Sequence, residues 1–202
     1  MEAYQLSQEE RQIITDAEWL LRKNEVIQKV YHLFGAMHEA LAADPVISRF
    51  PGDGAQPAKI SRGEQYLGLP WVVLDYPRVF GKDNIFACRT FFWWGRFFST
   101  TLHMAGAGLE PYRAVLTGKQ HQLAADGWYI CVQEDPWQHH FEPVNYQPVA
   151  DISSEQWEEL VQNRSFVKLA KRFDVLTWGK MISNAVAVYA ALLDMLSAGD
   201  GD

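Results

Sequence analysis

Only two of 202 residues are cysteine, Cys88 and Cys131. A small secreted scaffold held together by several disulfides is thereby excluded. Both thiols are expected to stay reduced, as small buried hydrophobes. Basic residues are scarce as well. Lys and Arg number 18 against 25 Asp and Glu, a formal net charge of -7. Nucleic-acid binding needs cations that displace condensed counterions, so this balance argues against such a partner. The densest basic group is Arg164, Lys168, Lys171 and Arg172. Its spacing fits one face of a helix, read here as a solvated face.

Export and membrane signals are missing too. Residues 1–10 show no basic stretch followed by an apolar core, so no signal peptide is visible. The longest uncharged apolar stretch, Met181 to Leu193, is shorter than the ~20 residues of a membrane span and reads as a buried core helix. A soluble, cytoplasmic protein without membrane contact is the expectation. Several catalytic signatures are also absent. There is no phosphate loop and no Gly-x-Ser-x-Gly elbow. His38-Glu39 is followed by Ala42 rather than a second histidine, so the helical zinc motif is incomplete. Gly106-Ala107-Gly108 stands where a dinucleotide fingerprint would, but Pro111 replaces its third glycine.

What remains is apolar and aromatic. Hydrophobic residues make up 48% and aromatic ones 13%, which excludes disorder for most of the chain. No repeat divides the sequence, so one domain over 1–202 is expected. Its N-terminal segment, 7–43, reads as helical. Ser7 and Glu10 form a capping box, and Ile27, Val30, Phe34, Met37 and Leu41 recur at helical spacing. Residues 44–69 are rich in Pro and Gly and read as a long loop covering a sheet. The block 70–133 reads as β-rich, with one helical stripe after Pro111. Residues 153–197 read as helical again. Clustered strands with helices before and after predict an α+β fold with an antiparallel sheet of about four strands.

The central hairpin, 84–105, carries the functional reading. A two-residue turn at Gly95-Arg96 pairs Trp94 with Phe97. One face then holds Cys88, Thr90, Phe92, Trp94, Phe97, Ser99, Thr101 and His103. Aromatic walls with a few hydroxyls and an imidazole suit a small-molecule pocket. Cys88 opposite His103 has the residue types of a nucleophile and its base, although an inert buried pair is the simpler reading. The other face is nearly all apolar and includes Arg89, for which Asp75 is the expected partner. A slip of one residue would exchange these faces.

Three functions follow from these residues. The leading one is binding of a small molecule by Thr90, Thr101, His103, Ser99, Trp94 and Arg89. A second is a metal-dependent enzyme. His140 and Glu142 share one face of an extended segment, and His103 or Cys131 would complete a site for a divalent zinc or iron ion. The third is a homo-oligomeric interaction protein that pairs through its aromatic surface, since eight tryptophans are available as anchors.

Overall fold

A computed structural model describes residues 4–52 and 54–197. The architecture is α+β, with one antiparallel sheet flanked by helices from both ends of the chain. The N-terminal helices are α1 (Gln8–Thr15) and α2 (Ala17–Ala43). Strands β1 (Lys59–Tyr66), β2 (Leu69–Phe80), β3 (Asn84–Trp93) and β4 (Phe97–Gly106) form a meander. Short helices α3 (Arg113–Thr117) and α4 (Gln120–Ala125) precede β5 (Tyr129–Cys131) and β6 (Tyr146–Pro148). Helix α5 (Ser154–Glu158), β7 (Phe166–Phe173) and α6 (Met181–Ser197) complete the chain. The sheet has seven strands in the order β1-β2-β3-β4-β7-β5-β6.

Seven strands replace the expected four because β1, β6 and β7 lie in segments whose composition carries no strand pattern. β1 lies inside the Pro- and Gly-rich segment read as loop, so that segment builds the sheet edge instead of covering the sheet. β7 lies inside the segment read as helical, and its Lys168 is fully buried. The basic helical face inferred from Arg164 to Arg172 therefore does not exist. β2 also continues past Pro77, where a bulge between Asp75 and Arg78 accommodates a residue without an amide donor.

Helices α2 and α6 pack on one face of the sheet. The apolar stripe of α2 (Ile27, Val30, Phe34, Met37, Leu41) meets Val72, Leu74, Phe92 and Leu102 in the main core. Ser7 caps α1 as expected, with its hydroxyl accepting from Glu10 N at 3.1 Å and Glu10 Oε2 accepting from Ser7 N at 2.7 Å. Residues Val175–Ser197 are long and apolar enough to cross a membrane, which the shorter stretch Met181–Leu193 had not indicated. Here Met181, Ala185, Tyr189, Leu192 and Leu193 of that segment are buried in the main core.

The central hairpin differs from expectation by one residue. Trp93 pairs with Phe97, leaving a three-residue turn of Trp94, Gly95 and Arg96. Gly95 adopts φ +65°, a left-handed conformation that suits glycine. The slip moves every β4 side chain to the opposite face. Phe98, Thr100, Leu102 and Met104 now join Cys88, Thr90 and Phe92 beneath the helices, while Ser99, Thr101 and His103 join Arg89 on the other side.

Gly108 marks a close approach behind this hairpin. A Cβ there would collide with the backbone carbonyl of Ile85. Gly108→Ala is expected to destabilise the fold by about 2 kcal/mol, while Gly118→Ala stays within about 0.5 kcal/mol, as at sites with ordinary contacts. Paired denaturant titrations measure both, and equal midpoints would contradict the assigned contact.

Candidate functional site

The sheet face away from the helices is crossed by residues 132–145, the connection from β5 to β6. Polar bonds hold this loop in place. Lys168 Nζ donates to the carbonyls of Pro136 and Gln138 at 2.8 and 2.6 Å. The Tyr66 hydroxyl accepts from the backbone N–H groups of His139 and His140 at 2.7 and 3.0 Å. Asp135 accepts from Trp137 N at 2.9 Å and Gln138 Nε2 at 2.7 Å, which closes the loop locally. Anchors from β1 and β7 thus converge on one short segment.

A polar cluster lies beneath the loop. Arg89 Nε donates to Asp75 Oδ1 at 2.6 Å, and β2–β3 pairing sets the two residues directly opposite each other. The Arg89 guanidinium lies 5.6 Å from the Phe80 ring and 5.4 Å from the Trp137 ring. His103 is fully buried, with the rings of Trp137 and Phe166 at 5.4 and 5.9 Å. Neither His103 nitrogen has a hydrogen-bond partner, nor does Arg89 Nη1. The Tyr146 hydroxyl has the Thr101 hydroxyl as a polar neighbour, outside ordinary hydrogen-bond geometry.

Burial controls the protonation of this cluster. It pushes the His103 imidazole down to about 3, helped by the positive charges of Lys168 and Arg89. It pushes the Lys168 ammonium down to about 7, against the opposing influence of Cys131. His139 is likewise held well below the usual imidazole range by burial, then by Lys168 and Arg89. Neutral histidines beside one fixed ion pair and one titrating lysine therefore describe the face near neutral pH.

Two clefts flank the loop. One, of about 390 Å³, opens at the β3–β4 turn between Leu67, Trp93, Arg96, Phe97, His140, Phe141, Glu142 and Arg172. Its aromatic walls meet edge to face, with Trp93 5.4 Å from Phe97 and Phe97 5.2 Å from Phe141. The Arg96 guanidinium lies over the Trp93 ring, 5.5 Å from its centroid, and that of Arg172 over Phe141, 5.9 Å away. The other cleft, of about 410 Å³, lies on the β1 side between Tyr66, Trp71, Trp137 and His139.

The structure divides the residues proposed from sequence. Arg89, Ser99, Thr101 and His103 share the open face of the sheet but lie under the loop, outside the lining of both clefts. Thr90 lies on the helix side, where its hydroxyl meets Tyr189 Oη at 3.2 Å. Trp94 sits in the turn and packs against the main core. Cys88 pairs with Leu102 and faces the helices, so it forms no nucleophile–base pair with His103. His140 and Glu142 do line one cleft, and His140 Nδ1 accepts from Glu142 N at 3.3 Å. His103 is not part of that lining. Among the described residues no group of three or more His, Cys, Asp or Glu is placed to hold a metal ion.

Sequence reasoning missed Arg96, Phe141, Arg172, Tyr66 and Lys168. Local pattern gives Arg96 a turn role only, and Arg172 and Lys168 a helical one. The chain matches no protein-family model, no curated protein and no solved structure.

The buried bases carry a signed pH dependence. The folded chain refuses a proton that unfolded His103 accepts, so stability is lost as pH falls from 6.5 towards 3. The same linkage at Lys168 makes stability rise with pH between about 7 and 10.5. Melting temperatures from pH 4 to 9.5 are expected to slope upward in both windows. His103→Leu should flatten the acidic part in part and Lys168→Met the alkaline part; unchanged slopes in both variants would refute the assignment.

Proposed function

We propose that this protein binds a small molecule in the aromatic-walled cleft at the β3–β4 turn. The cleft itself carries the reading. Its volume of about 390 Å³ lies within the range of small-molecule sites, roughly 300–1,000 Å³. Trp93, Phe97 and Phe141 supply planar apolar walls with little rotamer freedom to lose. Arg96, Arg172, His140 and Glu142 supply a few polar groups that would fix orientation. The loop that forms one wall is clamped by Lys168 and Tyr66, which favours a preformed site. Native mass spectrometry before and after denaturation, together with amide and indole NMR shifts from a set of aromatic fragments, tests the reading. Shifts centred on Trp93, Arg96 and Phe141 are expected. Shifts scattered over the surface with no preference for the cleft would refute it.

One feature favours a second reading, pairing of two copies through an N-terminal arm. Helix α1 buries no residue, and Ile13, Ile14, Trp19, Leu20 and Leu21 are all more than half exposed. An eight-residue helix is marginal in water without tertiary support. In an antiparallel pair of arms, Glu9 and Glu10 of each copy would approach Arg22 of the other, an exposed cation paired only with Glu18 of its own helix. In this reading self-association uses an exposed apolar arm, Trp19 included, in place of a wider aromatic surface. Sedimentation across a concentration series is expected to show a dimer that Ile13→Glu with Trp19→Glu converts to a monomer. A wild-type chain that stays monomeric into the high micromolar range would exclude it.

A further inference from the structure

We infer that the cleft at the β3–β4 turn selects a planar aromatic ligand carrying an oxyanion, a carboxylate or a phosphate. The inference rests on the binding reading above and names the chemical class that site would take.

Arg96 and Arg172 reach the cleft from different elements, the hairpin turn and β7. No ion pair or side-chain hydrogen bond among the described residues engages either guanidinium. Each is instead laid against a ring, Trp93 for one and Phe141 for the other. A cation–π contact holds a guanidinium near a ring and uses none of its N–H donors, so the N–H edge is left unused. That edge matches the paired oxygens of a carboxylate or phosphate.

His140 adds a third donor. Its Nδ1 accepts the N–H of Glu142, which leaves Nε2–H as the donor of the ring. The cleft lining therefore contains two arginines and an imidazole N–H against a single carboxylate, Glu142. This is a local cationic excess on a chain whose formal net charge is -7. The net negative charge of the chain repels an acid at long range, so recognition of one must come from these particular groups. Half-buried Phe141, with the largely buried rings of Trp93 and Phe97 beside it, would meet the flat apolar part of the ligand.

Three probes of one shape test the inference: 1-naphthoate, 1-naphthyl phosphate and the neutral 1-naphthamide. Binding is followed on the full chain by the Trp93 indole resonance and the Arg96 and Arg172 Nε resonances. One or both acids are expected to bind at least tenfold more tightly than the amide, and to weaken as salt is added. Arg96→Gln and Arg172→Gln should each weaken the acids about tenfold and the amide by less than about threefold. Which acid binds better distinguishes a carboxylate ligand from a phosphate. Equal binding of all three, insensitive to both substitutions, would overturn the oxyanion inference and leave the cleft as a binding site. No shift at the cleft with any probe would overturn both.

Discussion

Lys168 occupies the middle of β7, fully buried, with its ammonium on two carbonyls of the loop above it. An ammonium taken out of water costs several kcal/mol unless it is paired or well hydrogen-bonded. Two carbonyl acceptors and the Tyr146 ring, 5.3 Å from Nζ, offset part of that cost. The rest appears as a pKa lowered to about 7. If the loop lifted away, the Lys168 ammonium would lose both of its carbonyl acceptors. One side chain therefore ties the position of residues 136–138 to the sheet, and with it the walls of both clefts.

The other charges on this face follow from strand pairing. Asp75 and Arg89 meet because β2 and β3 pair at that position, before the bulge shifts the register. Removing either partner of a buried pair leaves an uncompensated charge, at a typical cost of about 3–5 kcal/mol. Trp137 then covers Arg89 from above, so the loop that Lys168 holds also shields the ion pair. His103 stays neutral at physiological pH because its burial, and then the charges of Lys168 and Arg89, act in the same direction. Clamp, ion pair and neutral imidazole are thus one connected arrangement.

Much of the fold is legible in the chain, and the failures are specific. The stripe of α2, the cap at Ser7, the strand character of 84–105 and the Asp75–Arg89 pair can all be read from residue type and spacing. β7 could not, because buried Lys168 and exposed Arg172 give it the composition of a solvated helix. The candidate cleft was only partly legible. Phe97, His140 and Glu142 can be singled out from local pattern. Arg96 and Arg172 gain meaning only when the turn and β7 are brought side by side.

The sequence by itself determined the α+β class, the apolar stripes that bury the helices and the residues able to form the central hairpin. These depend on periodicity and propensity within a dozen neighbours. Tertiary structure alone decided which face each β4 side chain occupies, because a single added turn residue reverses all of them. It also decided that a lysine is interior and that two arginines share a cleft. Those outcomes depend on contacts between segments more than 30 residues apart, such as Lys168 with Pro136. No local pattern encodes them.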